Sequence, residues 1–438
     1  MRWNVKLALS AVWVFLGAGS YLILPELAPF FLPLTMLLPI LWYPEPGLMR
    51  HLWGKSLLAR LLAVASAYLL INAQWSTAPT LAYIGVGTFF AASVAVHVVS
   101  RTMPYLARDP IRAMSMGFYS AYIICALLLG LEVVFRHPFH LYFFNLFPTL
   151  IPQMPGVAVE DGILKALPSH YLNKPVAALA FLLWPALLIA SHLSAGVRKR
   201  VLLLLCMPPV VVAIAASDHE SSKLALAGGA LAFALCWLAP RLVRSALTAA
   251  WVFACVAVVP LASWAYGQQL QKALWLQPSA QHRIVIWGVT SSKVAEAPFL
   301  GHGMVAAREF GMREKEHPTY VDGSPYMLST GPHAHNVYLQ VWFDTGAIGV
   351  ALLLAIGLFA LSAISRVSVD LQPALYAAFA TNALMAASSF SIWTRWFLAS
   401  YAFSTIFAVM AWRFASTANP DPPAPDYTQA KPPGLAAT

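Results

Sequence analysis

Of the 438 residues, 60% are hydrophobic and only 10% are charged. That excludes an ordinary soluble domain, which is about 45–50% apolar and about 25% charged. A formal charge of +10 would suggest nucleic acid as a partner in a soluble protein. Here the basic residues sit in short loops between apolar runs, which is how a membrane protein is oriented.

The apolar runs lie at 7–24, 28–43, 57–73, 81–100, 114–135, 176–193, 200–216, 224–240, 245–266, 336–364, 371–388 and 396–414. A bilayer core needs roughly 20 mostly apolar residues per helix, and none of these runs alternates as a barrel strand must. They predict an all-α, polytopic integral membrane protein with about twelve spanning helices. The first run stays apolar past Gly17-Ala18-Gly19-Ser20 to Leu24, which predicts an uncleaved helix rather than a signal peptide. Cys125, Cys206, Cys236 and Cys255 all fall inside apolar runs and show no metal or disulfide spacing.

Alternate short loops carry Arg2 and Lys6, Arg50, Lys55 and Arg60, Arg101, Arg108 and Arg112, Arg198, Lys199 and Arg200, Arg241 and Arg244, Arg366, and Arg413 with Lys431. These predict cytoplasmic loops and cytoplasmic N- and C-termini. Residues 1–414 then form one transmembrane domain with two long outer segments, 136–175 and 267–335, the larger one between helices 9 and 10. Residues 415–438 are proline-rich and aperiodic, which predicts a disordered cytoplasmic tail. His137, His140, His170, His219, His282, His302, His317, His333 and His335 all fall in outer segments.

The larger outer segment holds three short patterns. Gln281-His282-Arg283-Ile284-Val285-Ile286-Trp287 predicts a helix with Arg283 and Trp287 on one face. Pro298-Phe299-Leu300-Gly301-His302-Gly303 predicts a turn in close approach to another group. His333-Ala334-His335-Asn336-Val337-Tyr338 runs directly into an apolar helix containing Asp344, Gly346 and Gly349. On that helix His335, Tyr338, Leu339 and Trp342 are expected to share one stripe. His335 would then stand at the membrane boundary beside a helix N-terminus, which favours anions. A histidine there suits proton exchange next to a phosphate. The plainer readings are a polar cap for His335, a solvated charge for Arg283, and interfacial anchors for Tyr338 and Trp342. His333 and His335 with His302 lack zinc-site spacing, and no metal is expected.

Together the three patterns resemble the O-antigen ligase and polymerase family of bacterial envelope glycosyltransferases. That family shows an arginine followed by tryptophan, a Pro-Leu-Leu-Gly-x-Gly-like turn, and a His-Asn-x-Tyr-Leu segment entering a helix with a Gly-x-x-Gly pair. The matching residues here are Arg283 and Trp287, Pro298 to Gly303, His335 to Leu339, and Gly346 with Gly349. The resemblance implies a glycosyltransferase C-like fold in the bacterial inner membrane with a periplasmic site. It implies transfer of a glycan from undecaprenyl diphosphate to a hydroxyl of lipid A–core oligosaccharide, inverting and metal-independent, without a cofactor. Partners would be the carrier-linked O-antigen, lipid A–core and membrane lipids, with no nucleic acid.

His335 is the implied general base, and Arg283 holds the diphosphate. Asn336, Tyr338, His333, His302 and Trp287 are the expected substrate contacts. The family often places Ser-Arg-Gly at an earlier helix start, where this chain has Ser217-Asp218-His219-Glu220-Ser221-Ser222-Lys223. Lys223 is the expected second cation, with Arg136, Arg308 and Arg395 as the other candidates. Polymerisation of O-units and oligosaccharide transfer to protein are alternatives within the family, and a polytopic lipid or sugar transporter is the alternative outside it.

Overall fold

The computed structural model describes residues 5–43, 52, 56–194, 196–316, 318–321 and 325–418. Each expected apolar run is a helix: α1 (Val5–Ile23), α2 (Ala28–Leu41), α3 (Leu57–Asn72), α4 (Pro79–Thr102), α5 (Arg108–Val134), α7 (Asn173–Leu193), α8 (Gly196–Ala216), α9 (Glu220–Leu238), α10 (Pro240–Gly267), α13 (Val337–Ile364), α14 (Gln372–Ser388) and α15 (Arg395–Ala418). Ten of them are long and apolar enough to cross a membrane. The exceptions are α2, with 14 residues, and α14, with 17, both shorter than a bilayer core requires. The first long outer segment holds α6 (Pro138–Leu146) and an antiparallel hairpin of β1 (Ala158–Glu160) and β2 (Ile163–Ala166). The second holds α11 (Pro278–Val294) and α12 (Ala306–Glu316).

The proline-rich tail was expected from 415, but α15 stays helical through Ala418. Residues 419–438 lie outside the described residues, as do Arg2, Arg50, Lys55 and His317.

Apolar character on all sides puts a helix in the interior. In α7 nearly every residue from Pro175 to Ala190 is buried, and this helix is the axis of the bundle. Around it Tyr21 stacks on Phe403 at 4.5 Å and Phe118 on Phe407 at 4.1 Å, tying α1 and α5 to α15. A Cβ at Gly117 would overlap Ala11 O, so the α1–α5 crossing depends on that glycine.

One helix is not continuous. At Gly346 (φ 61°, ψ −165°) α13 breaks into two helices placed end to end, a conformation essentially restricted to glycine. The break releases the carbonyls of Phe343 and Asp344 and the amides of Ala347 and Ile348. The Pro298–Gly303 turn takes them up: His302 N and Gly303 N donate to Phe343 O and Asp344 O, both at 2.9 Å. Ala347 N in turn donates to Pro298 O at 2.9 Å, and Ile348 N to Phe299 O at 3.4 Å. From α3, Tyr68 Oη donates to Thr345 O at 2.6 Å and Asn72 Nδ2 to Leu300 O at 2.9 Å. Every freed backbone group thus has a partner, as an apolar surrounding demands. The outer segment is in this way anchored to the membrane domain.

Gly346→Ala would force a side chain into this conformation and into the Phe299 backbone. We expect a loss of about 1–3 kcal/mol, read as a lower midpoint of thermal unfolding in detergent. Gly87→Ala, where an added Cβ meets nothing within 4 Å, should leave the midpoint unchanged.

Candidate active site

The first half of α13 begins at Asn336, an extended N-cap (φ −152°, ψ 112°) whose side-chain oxygen accepts from Leu339 N at 3.1 Å. His335 lies before this cap in the left-handed region (φ 52°), which costs a residue with a Cβ about 1–2 kcal/mol. His335 is therefore off the helix, and the expected stripe with Tyr338, Leu339 and Trp342 does not form. The extended cap and the left-handed residue turn the chain before helical periodicity starts. Tyr338 faces the core instead: its hydroxyl donates to Ala383 O at 3.0 Å and its ring meets Trp251 edge-on. Trp342 donates to Cys255 O at 2.7 Å.

Freed from the helix, the His335 ring turns to the connection between α14 and α15, where its Nδ1 lies 3.2 Å from Ser389 O. A carbonyl oxygen can only accept, so Nδ1 carries the proton and Nε2 keeps its lone pair. The partner thus selects the tautomer with a basic Nε2. The His333 ring stands 4.0 Å from that of His335, and its Nε2 is buried with no hydrogen-bond partner among the described residues. Trp287 Nε1 donates to Ala334 O at 2.8 Å, pinning the 333–335 segment to α11. One turn earlier on α11 is Arg283, which has no hydrogen-bond or ion-pair partner among the described residues. Arg283, Trp287, His333, His335 and Asn336 thus lie in one region, where α11 meets the start of α13.

Two further residues belong to the cluster and were not anticipated. Ser389, whose carbonyl holds His335, also places its hydroxyl 3.3 Å from His219 Nε2. His219 is 7% exposed, stacks on Phe390 and has its Nδ1 2.6 Å from Ser222 Oγ. The 388–393 connection acts as a scaffold. Gln340 Nε2 donates to Ser391 Oγ at 2.9 Å and Trp393 Nε1 to the buried Asp344 carboxylate at 2.6 Å, adding two more ties to the first half of α13.

These contacts determine the electrostatics. Burial, then the neighbouring His333, then Arg283 push His335 down from the ordinary 6.5 to about 3. Burial and then Arg283 push His333 and His219 each down to about 4. The three imidazoles are consequently neutral bases facing one cation that has no counter-ion.

The other expected residues lie elsewhere. His302 is used structurally, its Nε2 2.8 Å from Lys293 O and its ring against Phe343. The Lys223 ammonium pairs with Glu220 at 2.9 Å on the first turn of α9, and Lys223 meets His219 only through its backbone N, which donates to His219 O at 3.3 Å. Arg136, Arg308 and Arg395 are exposed. The buried Glu132 does not pair with Arg136; its carboxylate accepts from Phe139 N at 2.7 Å and meets His140 Nδ1 at 2.7 Å, capping α6. Among the described residues no three His, Cys, Asp or Glu side chains converge as a metal-holding group.

The depressed histidines make acid destabilising. Below 6.5 the unfolded chain binds protons that the folded site refuses until about pH 4, so stability falls as pH falls through that window. We expect the unfolding midpoint in detergent to drop between those limits, and to drop less in His219→Gln and His333→Gln.

Residues 201–354 match the family described as O-antigen ligase. That span covers α9 to α11, the Pro298–Gly303 turn, His333, His335 and the break at Gly346. Similar proteins include a "Putative polysaccharide ligase" of Rickettsia felis, 27% identical over 233 residues, covering 53% of this chain and 56% of that one. Its counterpart in Rickettsia conorii is also 27% identical over 233 residues, covering 53% and 55%. One from Rickettsia bellii is 30% identical over 130 residues, covering 30% and 31%. The chain thus spans about half the length of the curated relatives it matches, or less. The segment 201–354, which carries Arg283 and all three site histidines, is the part of the chain that is similar to the O-antigen ligase family.

Proposed function

We propose that the chain is a glycosyltransferase that moves a glycan from undecaprenyl diphosphate to a hydroxyl of lipid A–core oligosaccharide, on the periplasmic side of the inner membrane. The observation that carries this reading is the pairing of an unprotonated His335 Nε2 with an Arg283 that lacks a counter-ion among the described residues. A diphosphate diester brings two negative charges and a good leaving group, and a partly buried guanidinium can hold two of its oxygens in a planar fork. His335 Nε2 takes the acceptor's hydroxyl proton as the acceptor oxygen bonds to the anomeric carbon. The bond from that carbon to the phosphate oxygen breaks, its electron pair leaves with the polyprenyl diphosphate, and the configuration inverts. Ser389 holds the base, Trp287 and Asn336 hold the segment that bears it, and Tyr338 packs behind it. A positioned base of this kind supplies about 10²–10⁴-fold.

His335→Ala should therefore reduce transfer by at least about 10²-fold with the fold intact; retention of a tenth of the activity would make His335 an orienting residue. Arg283→Lys should be substantially impaired and Arg283→Ala more so, since each charged hydrogen bond contributes about 1.5–3 kcal/mol. Chelator should leave the wild type active, because cationic side chains neutralise the diphosphate in this account. The acceptor is tested by offering purified protein a polyprenyl diphosphate glycan with lipid A–core, further O-units or a peptide. Labelling of the core supports ligation, and exclusive labelling of either alternative would reassign the reaction within the family.

The orientation follows the basic loops. Cysteines placed near residues 150 and 310 should react with an impermeant reagent in intact cells whose outer membrane has been permeabilised, while those near 105 and 198 should not. Labelling at 198 from outside would reverse the topology.

A further inference from the structure

We propose that His333 becomes the second cation of the site, taking up a proton when a diphosphate binds to Arg283. The inference rests on the diphosphate reading of Arg283 and deepens it. A diphosphate diester carries two negative charges, and the site holds one fixed positive charge. Lys223 is engaged by Glu220, and Arg136, Arg308 and Arg395 are exposed. The missing charge has to arise inside the cluster.

Among its imidazoles, His335 is held by Ser389 O and must keep its lone pair for the acceptor. His219 has both nitrogens occupied, by Ser222 and Ser389. His333 alone has a buried ring nitrogen with no partner among the described residues. Such an orphan nitrogen is costly until a ligand satisfies it. Protonated, Nε2 becomes a charged donor within the electrostatic reach of Arg283.

The groups that bear on His333 are few. Arg283 acts from α11 and His335 stands beside it on its own segment, itself held by the neutral Ser389 carbonyl of the α14–α15 connection. Among the described residues no carboxylate acts on the ring, so while the site is empty burial and then Arg283 oppose the proton. A bound dianion reverses both conditions, since it screens Arg283 and adds negative charge beside Nε2. Charge is then balanced through the reaction. Arg283 and protonated His333 offset the two charges of the donor. The proton that His335 takes from the acceptor offsets the additional charge on the departing diphosphate.

The test uses the purified full-length protein and a dimethyl diphosphate diester, whose own charges do not titrate near neutrality. Calorimetry in buffers of different ionisation enthalpy reads the protons taken up on binding. We expect uptake approaching one proton per bound diester at about pH 6, and affinity that weakens as pH rises, by up to about tenfold per pH unit. His333→Gln should bind more weakly, without uptake and without that pH dependence. Binding by wild type with no proton uptake, or uptake that survives in His333→Gln, overturns the proposal while leaving the Arg283 reading intact. No binding of the diester by wild type overturns both. Should His333→Gln fail to fold, histidine C2-hydrogen exchange in the wild type, read by mass spectrometry, decides the matter. Diester should raise the pKa of His333, and an unchanged His333 would refute the assignment.

Discussion

An arginine without a counter-ion in a partly dehydrated pocket is the condition on which the rest of the site depends. Desolvating a charge costs several kcal/mol unless a partner offsets it, and the protein places none beside Arg283. Three consequences follow from that vacancy in charge. The surrounding imidazoles His219, His333 and His335 stay neutral. An anion that enters gains the full attraction of an unshared guanidinium. A base that would be protonated near neutral pH in water keeps its lone pair. Burial is the larger cause of the neutral imidazoles, so a carboxylate beside Arg283 would remove only the arginine's share of it, along with the unshared attraction for an anion.

A mechanical condition stands beside the electrostatic one. His335 has to be rigid, yet it lies in a segment with no regular structure. Rigidity comes from the broken helix. Because α13 is interrupted at Gly346, its first half is fixed less by the second half than by the groups that satisfy the break: the Pro298–Gly303 turn, Tyr68 and Asn72. Its other side is tied to the 388–393 connection through Ser389, Ser391 and Trp393. The turn that looks in sequence like a ligand loop is thus used to mend a helix, with His302 packed inside it. Both glycines flanking His302 have positive φ, 69° and 95°, and an added Cβ at either would overlap backbone. Close approach is what those glycines provide, but the group approached is the protein's own chain.

What was legible in the sequence has a common physical basis. Twelve apolar runs announce twelve helices because each is a local property of consecutive residues, and Arg283 with Trp287 is legible for the same reason, being a single helical turn. His335 was legible as a residue and misjudged in geometry. Periodicity extended the helix one cap too far, and nothing in a sequence reveals that Asn336 is extended or that His335 is left-handed. Ser389 and His219 were invisible because their meeting depends on tertiary structure, across 170 residues between α9 and the end of α14. The only trace was a polar run, Ser388-Ser389-Phe390-Ser391, in an otherwise short apolar connection. Lys223 was misleading because charge is visible in a sequence and pairing is not. Glu220, three residues earlier on the same helix, takes it.

That replacement bears on how such a site can vary. A fixed second arginine would stay charged whatever the site holds, and the product carries the greater charge, so tight binding would slow its release. A histidine that is charged only while an anion is present behaves differently. Its charge is present while the diphosphate is bound and vanishes once it leaves, because burial and Arg283 then expel the proton. The empty site returns to a single positive charge without any group having to move. On this argument the neutral histidines around Arg283 do for charge what the broken helix does for geometry: each leaves unmet, in the resting protein, an interaction that something else must complete.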